Sequence, residues 1–266
     1  MVRPMGTAEL DGKTAVVTGC SRGIGRGIAE AFVGAGANVV ISGTNSEKGA
    51  KALQEIDGGP AVTFRRADAR SKADTEALID AALETYGSVD VLVNNSGGSS
   101  GFALVAELSD EAWTEASDWI LNSAFWATRR ALPSMIASGW GRIISISSLE
   151  SKTMQTPMAA HYATFKHALN GFTRCVAVEY ADAGITANAI CPGAVETDLM
   201  MTVGADSAAA AGISYEQFLD NYAQQALTKK LNTVEEVAAV ALLLASRAGA
   251  GITGTTINVD GGTAPY

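Results

Sequence analysis

Tyr162 and Lys166 stand four residues apart in Tyr162-Ala-Thr-Phe-Lys166, and on a helix that spacing puts a phenol and an ammonium on one face. A phenol can hand a proton to a carbonyl oxygen on which charge is growing, but its ordinary pKa of about 10 makes it a poor partner in the reverse direction at neutral pH. A nearby ammonium favours the phenolate and corrects this. Of the six tyrosines, only Tyr162 has a lysine four positions on. The flanking His161 and His167 invite an acid–base reading, yet neither has a suitably spaced ligand or nucleophile. His167 reads as a surface or packing residue, and His161 stays open between packing and lining a pocket.

A second constellation lies near the start, where Thr18-Gly-Cys-Ser-Arg-Gly-Ile-Gly25 joins a short apolar run to a helical stretch. Glycines there let backbone amides approach a pyrophosphate, whose charge a helix N-terminus favours. The placement after a strand and before a helix points to a dinucleotide rather than to an ordinary tight turn.

These residues need a scaffold, and the rest of the chain supplies one. Seven β-branched runs can be read, at 14–18, 38–42, 61–65, 89–93, 142–146, 186–190 and 256–259. Between them lie helical segments near 24–35, 46–56, 72–86, 110–137, 159–182 and 233–246. The alternation predicts an α/β fold, a Rossmann-type doubly wound sheet of seven mainly parallel strands with helices on both faces. Ser109 and Thr233 read as N-caps, each followed by acids in the first turn. The stretch from Asp198 to Lys230 breaks the pattern, with an apolar run Leu199-Met200-Met201 and with Tyr215, Phe218 and Tyr222 at helical spacing. A long excursion inside a single domain reads as a substrate-binding lid.

From the T-G-x-x-x-G-x-G turn onward the chain resembles the short-chain dehydrogenase/reductase family. The likeness runs in family order through Asp68, Asn94-Asn95-Ser96-Gly97, Ser148, Tyr162 with Lys166, and Pro192-Gly193, and it covers about residues 11 to 262. In pattern it is closest to 3-oxoacyl and polyketide-type ketone reductases. The resemblance implies a single dinucleotide-binding and catalytic domain that transfers hydride between a nicotinamide cofactor and a secondary alcohol or ketone. It implies Gly19, Ser21, Arg22, Gly23, Ile24 and Gly25 as the pyrophosphate turn and Asp68 with Ala69 beside the adenine. Asn95 and Gly97 would lie under the adenine ribose and nicotinamide, and Val195 and Thr197, after Pro192 and Gly193, would anchor the carboxamide. Tyr162 becomes the general acid or base, Ser148 the hydrogen-bond partner of the reacting oxygen, and Lys166 both the group that lowers the tyrosine pKa and a contact to the nicotinamide ribose. Ser147 would point to the opposite side of an extended chain. The Ser148–Tyr162 spacing is one longer than in many members, so Ser147 and Ser151 remain minor candidates.

Two details bear on how such a site would work. After the second strand the chain reads Ile41-Ser-Gly-Thr-Asn-Ser-Glu47, with no acid to grip a ribose 2′-hydroxyl, and Arg22 lies in the glycine turn; both favour NADP(H) over NAD(H). The family asparagine that supports a water linked to the lysine falls on Ile120, whose side chain cannot hydrogen-bond. Asn122 lies two residues on, turned about 200° away in a regular helix. Either a local bulge recovers Asn122 or the relay is built differently. A catalytically weak sensor or scaffold is the alternative function, and the missing asparagine is its support.

Across 266 residues the chain is 47% hydrophobic and 18% charged with a net charge of −9, and no basic block is longer than a pair such as Arg65-Arg66 or Lys229-Lys230. This argues against a nucleic-acid partner. No apolar run reaches membrane-spanning length, the N-terminal stretch lacks the apolar segment of an export signal, and a soluble cytoplasmic protein is expected. Cys20, Cys175 and Cys191 lack the paired spacing of a metal or disulfide site. The helices at 110–137 and 159–182 resemble those that build family tetramers, which implies a homotetramer. The pocket would be made by residues 98–107, 149–160 and 193–230, without a decisive charge pattern. The absence of arginine from 198–230 favours neutral or bulky apolar substrates.

Overall fold

The computed structural model describes residues 9–154 and 156–266, apart from the side chains at 198, 199, 202, 203 and 210. Gln155, inside the 149–160 pocket segment, and the Leu199 side chain lie outside the described residues, as does the N-terminal stretch through residue 8.

Seven strands follow one another as β1 (Thr14–Val17), β2 (Asn38–Gly43), β3 (Val62–Arg66), β4 (Val91–Asn94), β5 (Gly141–Ile146), β6 (Ile185–Pro192) and β7 (Thr256–Val259). They form one sheet in the order β3-β2-β1-β4-β5-β6-β7. Every pairing is parallel. β4 and β5 are buried at every position, because a central parallel strand meets helices on both faces. β3, at the edge, ends on the exposed pair Arg65-Arg66.

Helices α1 (Gly23–Gly34), α2 (Ser46–Ile56), α3 (Lys72–Tyr86), α4 (Asp110–Ala116), α5 (Ser123–Ser138), α6 (Ala160–Tyr180), α7 (Asp198–Ala210), α8 (Tyr215–Gln225) and α9 (Val234–Ala245) complete the fold. Alternation along the strands divides their apolar side chains between two layers. Val17 and Ile144 pack with Ile28 and Phe32 of α1 and Leu244 of α9. Val16 and Ile143 pack instead with Leu78 of α3, Met135 of α5 and Val176 of α6. The expected helix over 110–137 is divided: Ser117–Asn122 form a π-helical turn between α4 and α5.

Most helix starts are closed by their own side chains. The Ser109 hydroxyl accepts from Ala112 N at 3.2 Å, and Thr233 with Glu236 forms a reciprocal capping box at the head of α9. α1 differs: it opens at Arg22 with no side-chain cap and no acid in its first turn. Its first amides are left to another partner.

The 198–230 excursion folds as α7 and α8. Gly204 of α7 lets the two approach, since a β-carbon there would lie 2.8 Å from Phe218. Phe218 in turn contacts Tyr215 and Tyr222. Thr228 N then bonds Gly261 O at 3.1 Å, returning the chain to the end of the sheet. Among the described residues no helix is long and apolar enough to cross a membrane.

Candidate active site

β1 runs into the glycine turn with Gly19 at φ +65° and Gly23 at φ +60°, left-handed values that favour glycine. The turn is fixed from across the sheet. Asn95, just past β4, donates its side-chain amide to Thr18 O (2.8 Å) and Gly19 O (2.9 Å). The Thr18 hydroxyl accepts from the backbone amides of Asn95 (3.0 Å) and Ser96 (2.9 Å). A β-carbon at Gly19 would stand 2.6 Å from Ser96 Oγ, and one at Gly25 would run into the Asn95 amide. Thr197, the N-cap of α7, brings its methyl within 3.5 Å of a β-carbon built at Gly23. Val195, buried beside it, pairs with Asn232, and Gly193 N bonds Val259 O at 2.9 Å. The segment after Pro192 and Gly193 therefore closes over the same turn. An uncapped helix start, glycines too crowded for side chains, and this converging loop fit a pyrophosphate-containing dinucleotide.

Asp68 sits after β3 with its carboxylate gripped by Arg70, Nε to Oδ1 at 3.0 Å and Nη2 to Oδ2 at 2.9 Å. That hydrogen bond holds its pKa below the usual carboxylate range. Ala69 lies beside it with its carbonyl accepting from Thr75 Oγ1 at 3.4 Å.

At the far end of β5 the three serines separate. Ser147 donates to Lys166 O at 3.1 Å, and Ser151 donates to Ser148 O at 2.6 Å. Both hydroxyls are bound to backbone carbonyls. Ser148 Oγ instead accepts from Glu150 N at 3.1 Å, and its hydroxyl also bonds the Tyr162 phenol. Tyr162, in the first turn of α6, feels that hydroxyl as a hydrogen bond which lowers its pKa, but burial outweighs it and Glu150's charge adds to the rise. The net shift is upward. Lys166, one turn on, donates to Ile146 O at 2.8 Å and lies 5.6 Å from the centre of the Tyr162 ring. Burial pushes its amine down to about 8. Desolvation is the leading cause of both shifts, upward for the phenol and downward for the amine.

Gly97 faces this amine: a β-carbon there would be 3.2 Å from Lys166 Nζ and 3.5 Å from Ile120 Cγ1. The π-helical turn is the local bulge that the asparagine question raised, yet it leaves Ile120 in the position beside the lysine. Asn122 donates to Asp118 Oδ1 of its own helix at 2.7 Å. His161 is fully buried, with Nε2 at 2.9 Å from Ser100 O and its ring against Phe102. His167 sits on the exposed side of α6 and bonds Ala163 O at 2.8 Å.

A model of the family described as short chain dehydrogenase matches residues 13–208. The chain belongs to that family. This short-chain dehydrogenase is 37% identical over 255 residues to the D-beta-hydroxybutyrate dehydrogenase of Cupriavidus necator, covering 95% of this chain and 98% of that one. It is 38% identical over 269 residues to the 3beta-hydroxysteroid dehydrogenase of Mediterraneibacter gnavus, with 97% of each chain covered. A crystal structure of a variant actinorhodin polyketide ketoreductase with NADPH superposes with a TM-score of 0.89 at 35% identity, covering 96% of this chain and 98% of that one. The protein is an NAD(P)-dependent oxidoreductase of this family.

Two residues of the dehydrogenase's cleft escaped sequence reasoning. Glu150 raises the pKa of Tyr222 as well as that of Tyr162, so the pocket segments do carry a charge. Its position two residues past Ser148, with no spacing motif around it, was the only signal. Tyr222 was visible as part of an aromatic stripe but not as a group that the Glu150 charge reaches.

Burial of Lys166 has a consequence for stability. The unfolded chain holds that proton up to the ordinary 10.5 and the folded one only to about 8, so stability rises with pH across this window. We expect the wild type to gain on Lys166→Met by on the order of 1 to 3 kcal/mol between pH 8 and pH 10 in urea titrations. Parallel pH profiles for the two proteins would contradict the desolvation of this amine.

Proposed function

We propose that the chain acts as one dinucleotide-binding and catalytic domain that reduces a ketone, or oxidises the matching secondary alcohol, with Tyr162 exchanging the proton. The observation that carries this reading is the meeting of the Ser148 and Tyr162 hydroxyls beside the buried Lys166 amine, with Gly97 facing that amine. The nicotinamide supplies or accepts the hydride when bound. Ser148, whose hydroxyl meets that of Tyr162, is positioned to donate to the substrate oxygen. Tyr162 stays protonated at neutral pH, which suits it to give its proton to that oxygen as charge develops there. The phenolate so formed lies near Lys166, whose charge then favours it, and the remaining Lys166 hydrogens suit a ribose hydroxyl. Gly19, Gly23 and Gly25 with the first amides of α1 take the pyrophosphate; Asp68 and Asn95 border the adenosine half, and Val195 with Thr197 the carboxamide.

Tyr162→Phe removes the transferable proton while keeping the ring. We expect ketone reduction, followed at the nicotinamide absorbance band, to fall by roughly 100-fold or more, with cofactor affinity changed little. Undiminished turnover would overturn the assignment and favour the sensor or scaffold reading.

NADP(H) is the proposed cofactor in preference to NAD(H). β2 ends on Gly43 with Thr44 and Asn45 following, and Arg66 aligns opposite Gly43 with its Nε bonded to Thr44 O at 3.1 Å. Arg22 caps the turn next to Ser21, which lies against Gly43. Two cations and no carboxylate at the strand end suit a 2′-phosphate, and the actinorhodin ketoreductase structure was obtained with NADPH. kcat/KM is expected to be higher with NADP than with NAD, and Arg22→Ala should narrow that gap about tenfold. Equal or better efficiency with NAD in the wild type refutes the preference.

We further place the protein in the cytoplasm, consistent with three free cysteines, as a homotetramer. Trp113 of α4, Phe125 of α5 and Val178 of α6 expose apolar surface that copies of the chain could bury. Light scattering should return four chain masses, and replacing Phe125 and Val178 by lysine should lower that; a wild-type monomer contradicts the proposal.

A further inference from the structure

The loop after β4 brackets the reacting end. It leaves from Gly97, which faces the Lys166 amine, and reaches the segment before α6, where Ala103 N bonds Met158 O at 3.2 Å, four residues short of Tyr162. Between these points Ser100, Gly101 and Phe102 are exposed. Ser100 and Gly101 also border an open cavity of about 700 Å³ against α4, so packing alone does not fix them. What holds the loop there is polar.

The first hold comes from His161. Its side chain is fully withdrawn from water, and its Nε2 lies 2.9 Å from Ser100 O. A carbonyl only accepts, so Nε2 carries the proton and the ring donates to the loop. Among the described residues Nδ1 has no hydrogen-bond partner. Burying an imidazole with one nitrogen unpaired is costly, and an apolar side chain would fill the same space without that cost. The bond to Ser100 is what a histidine contributes here and a leucine would not. The ring also meets Phe102 edge-on, with centroids 5.4 Å apart, so one side chain touches the loop at two residues. A second hold comes from α4, where Glu115 accepts from the Ser100 hydroxyl and is bound in turn by Arg70 Nη1 at 2.7 Å. Exposed ion pairs of this kind contribute little by themselves. The imidazole bond carries more weight, because a ring shut away from water has no solvent partner to turn to instead.

We propose that His161 is a positioning residue for the substrate side of the cleft: by donating to Ser100 O and packing on Phe102 it holds the loop after β4 as a preformed apolar wall beside Tyr162, and so favours ketones that carry a bulky apolar group. This deepens the reading of Tyr162 as the reacting residue and rests on it. A wall already in place costs a ligand less to bind than one that the ligand must order. Phe102 and Met158, 52% and 46% exposed, offer it apolar area.

The test uses the full chain with saturating cofactor and two ketones, cyclohexanone and 4-phenylcyclohexanone. Turnover is followed at the nicotinamide absorbance band, ketone binding to the complex with oxidised NADP by calorimetry, and loop order by hydrogen exchange of the 98–103 amides. The wild type is expected to prefer the phenyl ketone in both turnover and binding. His161→Leu removes the donor and should lower that preference by about tenfold or more, mostly through KM. It should also speed exchange in the loop by about tenfold, without speeding it in β4 or β5. His161→Gln can place an amide donor where Nε2 stands, and should return both readouts to within about threefold of the wild type. Ser100→Ala, at an exposed residue, removes the hydroxyl hold alone; it should lower the preference about threefold, and it decides the matter if His161→Leu fails to fold. A merely structural His161 would make His161→Leu lower both ketones by the same factor with no recovery in His161→Gln, which overturns the proposal. So does an unchanged preference in every variant. A wild type that binds the ketones with the expected preference but turns over neither retires the redox reading and leaves His161 in its role, while turnover with no preference for the phenyl ketone does the reverse.

Discussion

The side-chain amide of Asn95 ties the end of β4 to the carbonyls of Thr18 and Gly19 at the end of β1, and the rest of the site depends on that tie. β1 and β4 are the neighbours between which the strand order changes direction, so the chain leaves their carboxyl ends toward opposite edges of the sheet. A crevice must open there. Without a bridge the glycine turn and the Gly97 loop would be two separate surface loops. With it, the amides of α1 and the Lys166 amine face a common crevice, and one extended ligand can touch both.

Burial is what gives the second half of that crevice its chemistry. Tyr162 and Lys166 are carried on α6, which packs across β5 and β6, and both groups lose water in the process. Each is pushed toward its neutral form, the phenol upward and the amine downward to about 8, so neutral pH finds a protonated phenol beside an ammonium that gives up its proton more readily than an ordinary lysine. The hydrogen bond from the Glu150 amide to Ser148 fixes the serine hydroxyl beside them.

Much of this was legible in the residues. Strand and helix alternation gave the sheet because apolar runs of four to six residues separated by amphipathic stretches have few other ways to bury both faces. Tyr162 and Lys166 were legible because helical spacing converts directly into a shared face, and Ser109 and Thr233 because caps are local. What stayed hidden depended on contacts distant in sequence. The role of Asn95 as a clamp on Thr18 and Gly19 requires the ends of two strands to meet. The direction of the Tyr162 shift was also hidden, since the spacing reports that an ammonium is near but not how completely both groups are dried.

Ile120 sharpens the account of proton movement. In a regular helix Asn122 would lie about 200° from Ile120, and a π-helical turn is the kind of insertion that could have swung it round. The turn is present, yet Asn122 binds Asp118 and the isoleucine remains against the Gly97 loop, 1% exposed. No side-chain hydrogen bond can therefore come from this position to water near Lys166. The amine instead spends one hydrogen on Ile146 O, which anchors it without a relay. Ile120 and the Lys166 amine both border the space in front of Gly97, so an apolar group stands there where the family pattern expects a polar one.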